Sequence, residues 1–134
     1  MNIELLEIPK INDTRGNIAV IEKDLLPFVM KRVYYLFDVP STARRGGHAH
    51  KEQLELLIPL SGSFDVVLHD GEQTQKITLN KPDIGLLIKS NTWRELDNFS
   101  SGSICLVISS GEFLEEDYIR DFEEYKAYLQ ASHK

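Results

Sequence analysis

The chain of 134 residues is short of several things that would place it quickly. It has one cysteine, so no internal disulfide holds it together. No apolar run approaches the roughly 18 residues of a membrane-spanning helix. The opening MNIELLEIPK carries two glutamates where a secretion signal would be basic and then apolar. Basic residues are outnumbered, with Lys+Arg 15 against Asp+Glu 21 and a formal charge of -6. That removes the broad positive footprint of a nucleic-acid binder, while leaving room for a local basic pocket around one phosphorylated ligand. There are no internal repeats, no low-complexity segments and no Gly-rich dinucleotide fingerprint. What is present is an ordinary globular balance, 42% hydrophobic and 27% charged. The expectation is one soluble, cytoplasmic domain over residues 1–134, with no nucleic-acid or membrane partner.

Most of the text reads as short strands rich in β-branched and aromatic residues. They are expected at Gly16–Glu22, Lys31–Asp38, Gln53–Leu60, Ser63–Asp70, Gln75–Leu79, Gly85–Lys89 and Ser103–Ser109. Asp70-Gly71 lies between two of them as a hairpin signal, and Asn80–Asp83 and Asn98–Gly102 read as loops. Many short strands at near-regular spacing predict an all-β antiparallel barrel or sandwich. The end differs. Tyr118, Phe122, Tyr125 and Leu129 fall at helical spacing behind a run of acidic residues, which predicts one closing helix over about 114–130. The last residues, 131–134, read as a frayed tail.

The most informative stretch is Arg44-Arg45-Gly46-Gly47-His48-Ala49-His50-Lys51. Side chains alternate along a strand, so His48 and His50 share a face. Imidazole, with an unperturbed pKa of about 6.5, takes or gives a proton near neutral pH. Paired histidines on a strand are often no more than a satisfied polar pair. Here the preceding glycines allow close approach to the backbone, and the arginines offer planar forks for phosphate. Glu55 and Gly62 extend the pattern to HxHxxxxExxxxxxG, which resembles the first motif of the cupin superfamily. In metal-binding cupins the two His and the Glu are ligands, with a further His from a second motif. That second motif would fall after Pro82-Asp83-Ile84-Gly85, where LLIKSNTWRELDN has no histidine. His48, His50 and Glu55 alone would make a facial triad, and a metal-dependent cupin stays open as an alternative.

Further along, Arg32, Tyr34 and Leu36 share one strand face, and an arginine among apolar neighbours suits a ligand pocket. Arg45 and Lys51 flank the histidines as candidate phosphate or hydroxyl contacts. Trp93 has two readings, stacking on a ring or plain core. Cys105 reads as a core thiol.

Several segments together resemble one family: Arg15-Gly16, Lys31-Arg32-Val33-Tyr34-Tyr35, Arg45 to Lys51, Gly62-Ser63-Phe64, Gly85-Leu86, Trp93-Arg94-Glu95, Phe99-Ser100 and Glu116-Asp117-Tyr118-Ile119-Arg120. They are similar to the nucleotide-sugar 3,4-ketoisomerases, small cupins acting on dTDP-4-keto-6-deoxy-D-glucose. The resemblance implies a jelly-roll cupin, a homodimer with exchanged N-terminal strands, and no metal or other cofactor. It implies His48 as base and His50 as its partner, with Arg15, Arg32, Tyr34, Tyr35, Arg45, Lys51, Trp93 and Arg94 binding substrate. Moving a ketone from C4 to C3 needs a base for the acidified C3 proton, an enediol, and protonation at C4. Histidines supply such transfers with a gain of about 10²–10⁴-fold, and a nearby Tyr or Arg steadies the developing oxyanion. The chain departs from the family pattern twice, with Glu55 where Gln is usual and Arg94 where His is frequent. Arg15-Gly16 resembles the form found with a galacto product, so galacto is expected over gluco. A non-catalytic nucleotide-sugar-binding module is the remaining alternative.

Overall fold

The structure, a computed structural model, describes residues 1–132. Strands β1 (Glu4–Glu7), β2 (Lys10–Ile11), β3 (Ile18–Ala19) and β4 (Arg32–Leu36) come first. They are followed by β5 (Arg45–His50), β6 (Glu55–Ser61), β7 (Phe64–His69) and β8 (Thr74–Leu79). Then come β9 (Ile84–Ile88), β10 (Trp93–Asp97), β11 (Ile104–Ser109), β12 (Tyr118–Ile119) and helix α1 (Phe122–Ser132). Two five-stranded sheets, ordered β1-β9-β6-β11-β4 and β12-β5-β10-β7-β8, face one another, and β2 and β3 form a separate ribbon. Each pairing is antiparallel. This is the expected all-β cupin-like architecture with one short C-terminal helix.

Alternation decides what each strand buries. Leu57, Phe64, Val66, Leu86, Leu96, Cys105 and Val107 meet between the sheets as the main core. Cys105 is fully buried, and burial pushes its thiol up to about 12, as a core cysteine requires. Leu56 and Ile58, one position out of phase, face outward. Leu6, Ile8, Ile21, Leu25, Leu26 and Phe28 of the N-terminal segment cover them there. The continuous apolar run in β6 follows from this covering of both faces. On the far side, α1 covers Ala49, Trp93 and Ile119 with Tyr125, whose hydroxyl donates to the carbonyls of His69 and Asn91.

Three sequence expectations need correction. The helix begins at Phe122, not near residue 114, because Glu115–Asp117 close a single 3-10 turn and Tyr118–Ile119 pair with β5 instead. Tyr118 therefore belongs to a strand, although its spacing matched the helix. The Gly16–Glu22 strand shrinks to Ile18–Ala19, since its partner offers only two residues. The third is β10, absent from the expected strands, which is a central strand between β5 and β7. An inward Arg94 breaks the apolar alternation that would have marked it. The Asp70-Gly71 hairpin forms as expected, with Asp70 Oδ1 accepting from the N–H groups of Glu72 and Gln73.

Gly62 turns the chain from β6 to β7 at φ +68, and a Cβ there would lie 2.9 Å from the Ser103 Cα. Gly62→Ala is expected to destabilise the fold by about 1–3 kcal/mol, from left-handed strain plus the clash. A lower urea midpoint at unchanged m-value checks it.

Candidate functional site

Between the sheets, at the end where β4, β5 and β10 converge, lies a cavity of about 590 Å³. Its floor is charged. Glu55 on β6 has no exposed surface, and its carboxylate accepts hydrogen bonds from Arg94 and Ser109 and, at 3.2 Å, from the Tyr34 hydroxyl. Arg32 Nη2 stands 3.5 Å away and also donates to Gln53 Oε1 at 3.1 Å. Burial opposes the Glu55 charge, but the Arg94 guanidinium, the His50 ring and the Ser109 hydroxyl outweigh it. The His50 part of that effect comes from the nearness of the ring, 3.4 Å away at Nε2, and not from a hydrogen bond. Together these groups hold the carboxyl well below its usual range. Burial likewise opposes the Arg94 charge and Glu55 overrides it. Burial pushes the Tyr34 hydroxyl up, so it remains a donor.

Above this floor His48 and His50 project from β5 on the same face, as the alternation required. Their ring centroids are 4.9 Å apart and edge-on. Tyr118 packs against both, 4.9 Å from His48 and 4.4 Å from His50. Burial first, then the Arg94 and His50 charges, push His48 down to about 2, leaving it a neutral imidazole. Its Nε2 is buried without a hydrogen-bond partner among the described residues. At the mouth, Arg44, Arg45 and Arg120 line the opening with the exposed Phe113 ring. Arg120 lies over the Tyr118 ring at 4.1 Å and is tied to Glu115 at 2.7 Å.

The structure thus brings His48, Arg32, Tyr34, Arg45 and Arg94 together around the cavity, with His50 buried just behind, against His48 and Tyr118. Four expected contacts lie elsewhere. Tyr35 is 60% exposed on the opposite face of β4, beside Phe37, because strand alternation turns it away from Tyr34. Trp93 is turned away from Arg94 in the same manner and packs under α1 against Phe122 and Tyr125, which settles it as core. Lys51, past the end of β5, reaches over the Tyr128 ring at 5.7 Å. Arg15 sits on the β2–β3 turn, paired with Asp13 at 2.9 Å and outside the cavity of its own chain. Sequence reasoning quoted Asp117, Tyr118 and Arg120 as part of the resemblance but gave neither them nor Phe113 a place in the site. Asp117, Tyr118 and Arg120 stand in text read as helix, and only the β12–β5 pairing carries that segment to the histidines.

The ligand atoms of His48, His50 and Glu55 lie within 4.8 Å of one another, a spacing a metal ion could bridge. The Glu55 carboxylate is already matched by the buried Arg94, with Arg32 beside it. A divalent cation would have to share that carboxylate against two guanidinium charges, so the donor set does not fit a metal.

A family model described as FdtA, WxcM-like C-terminal, matches residues 1–130. Among curated proteins, a TDP-4-oxo-6-deoxy-alpha-D-glucose-3,4-oxoisomerase from Aneurinibacillus thermoaerophilus is 40% identical over 130 residues, 96% of this chain and 94% of that one. A TDP-quinovose 3,4-ketoisomerase from Campylobacter jejuni is 44% identical at TM-score 0.88, covering 94% of this chain and 98% of its own. A sugar 3,4-ketoisomerase from Thermoanaerobacterium thermosaccharolyticum, solved with TDP, is 36% identical at TM-score 0.94, covering 98% and 96%.

The buried charges set an acid limit. His48 is neutral in the fold but takes a proton in the unfolded chain below about pH 6.5, and Glu55 is ionised in the fold but protonates unfolded below about pH 4.3. In both cases the unfolded chain binds more protons, so stability falls as pH falls. The melting temperature is expected to decline below about pH 6.5 and more steeply below about 4.3. In calorimetry, His48→Gln should remove the first decline and leave the second.

Proposed function

The chain belongs to the FdtA/WxcM-like family and is an isomerase, and we propose that it moves the ketone of dTDP-4-keto-6-deoxy-D-glucose from C4 to C3. The observation that carries this reading is the pair of buried imidazoles with ring centroids 4.9 Å apart, His48 lining an arginine-rich cavity and His50 behind it. Arg44, Arg45 and Arg120 offer forked donors for the diphosphate, and Phe113 an apolar face for the pyrimidine. His48 Nε2, neutral and unpartnered, takes the C3 proton. The electrons of that C–H bond form the C3–C4 double bond, and the C4 carbonyl oxygen gains a proton to give the enediol. The C3 hydroxyl then loses its proton as the C3 carbonyl forms, and C4 receives a proton with His50 as partner in the transfers. The charge that disfavours a proton on His48 is offset once a diphosphate and a developing enediolate share the cavity. Arg32, Arg94 and the Tyr34 hydroxyl are the donors available to the oxyanion. No step calls for a cofactor.

The galacto product is assigned over gluco on Arg15-Gly16. Gluco is the second reading, favoured by the 44% identical relative named for TDP-quinovose, since quinovose is the 6-deoxy-gluco sugar. Arg94 stays charged at neutral pH and steadies charge without delivering a proton. The product feeds a 3-amino-3,6-dideoxyhexose, with a dehydratase upstream and an aminotransferase downstream, in the cytoplasm. The working form is a homodimer with exchanged N-terminal strands, an exchange that gives Arg15 a route to the partner's cavity. In the single chain β1 pairs with its own β9, and Val33, Tyr35, Phe37 and Leu60 are exposed. Such an apolar patch on an outward sheet face supports burial against a second copy. Light scattering should give twice the chain mass; the monomer mass would overturn the dimer.

Proton NMR of dTDP-4-keto-6-deoxy-D-glucose with the protein in D₂O and chelator tests the reaction. The expected result is loss of the C3 proton signal, deuterium at C4 and a 3-keto product of galacto configuration. A gluco product overturns the stereochemical assignment alone, and an unchanged spectrum despite TDP binding overturns the reaction. His48→Asn and His50→Asn should each slow turnover by roughly 10²-fold or more. Unaltered rates in both would remove the histidines from the mechanism.

A further inference from the structure

The two histidines are not equivalent, and the difference lies on the side away from the cavity. Both Nε2 atoms are buried without a hydrogen-bond partner among the described residues, but His50 has its Nδ1 2.8 Å from a carboxylate oxygen, Asp117 Oδ2. Asp117 is 6% exposed and ends the 3-10 turn that leads into β12. Its carboxylate receives two backbone donors. Oδ1 accepts from the Glu52 N–H at 2.8 Å and Oδ2 from the Gln53 N–H at 3.3 Å, with His50 Nδ1 in contact with Oδ2 as well. The Asp117 carbonyl accepts from the Lys51 N–H at 2.9 Å, and Tyr118 pairs with His50 across the strands. Asp117 therefore grips the chain just after His50, from Lys51 to Gln53, and is not among the residues lining the cavity.

We infer that Asp117 is a positioning residue that keeps the proton of His50 on Nδ1, so that Nε2 alone gains and loses a proton during turnover. A carboxylate already receiving two N–H donors presents an acceptor to the ring, so the nitrogen at 2.8 Å is the one bearing hydrogen. Nε2 then points the opposite way, 3.4 Å from Glu55 Oε1 and beside His48. The balance is simple: a proton arriving at Nε2 makes an imidazolium whose charge is shared with Asp117, and its departure restores the Nδ1–H tautomer. The inference rests on the proposed proton-transfer role of His50.

Asp117→Asn separates this from a structural role. Its single oxygen is drawn to the stronger donor, the Glu52 N–H, which turns the NH₂ toward Nδ1 and moves the ring proton to Nε2. The expected results are kcat lowered roughly 100-fold, TDP affinity within about twofold of the parent, and a ¹⁵N imidazole spectrum switched from Nδ1–H to Nε2–H, with His50 assigned by its loss in His50→Gln. If kcat falls only together with TDP affinity and melting temperature while the tautomer is kept, Asp117 is structural and the inference fails. A switched tautomer with unaltered kcat overturns it too. Should the variant not fold, the parent spectrum decides: a neutral His50 protonated at Nε2 overturns the assignment. Absence of turnover in the parent protein would instead defeat the proposed reaction, and the tautomer measurement stands apart from it.

Discussion

A buried carboxylate organises this molecule from the inside. Glu55 lies between two sheets with no exposure to water, where an unpaired charge would cost several kcal/mol. It is tolerated because Arg94 from β10, Ser109 from β11, and Arg32 and Tyr34 from β4 converge on it. Four strands of both sheets are thereby tied to one charge. The arrangement specifies register as much as stability, since sliding any of these strands by one residue would turn its partner outward and leave Glu55 alone.

The same constraint shapes the chemistry above it. Arg94 neutralises Glu55 and, with burial, keeps a proton off His48. His50 stands between Glu55 and Asp117, at 3.4 and 2.8 Å. Two histidines two residues apart on one strand thus receive different surroundings, one facing positive charge and the other flanked by carboxylates. Divergent environments for a pair of identical groups are what a proton-shuttling site needs. The price of holding so many charges inside is met by cover: the N-terminal segment seals one sheet and α1 the other, keeping water from both flanks of the cavity.

How far the site could be read in the text depended on whether its parts were local. His48 and His50 share a face because alternation along one strand demands it, and Arg32 with Tyr34 follows by the same rule. That rule, applied one residue further, also shows why Tyr35 and Trp93 cannot join them: each is out of phase with the neighbour that lines the cavity. Asp117 and Tyr118 were hidden for a different reason. Their spacing relative to Phe122 and Tyr125 fits a helix, and local periodicity cannot register that two residues pair with β5 instead. The strand β10 was masked by Arg94, whose partner stands 39 positions earlier in the chain.

By itself the sequence determined the all-β class, the hairpin at Asp70-Gly71, the shared face of the two histidines and the resemblance to 3,4-ketoisomerases. Each of these is carried by nearest-neighbour backbone geometry or by contiguous motifs. Only the tertiary structure decided that Glu55 is spent on Arg94 and not free for a metal, that Asp117 backs His50, and that Trp93 belongs under the helix. These turn on contacts between strands distant in sequence. They exist because burying Glu55 forces its cationic and hydrogen-bonding partners in from both sheets, and no local pattern announces where a buried charge will find its match.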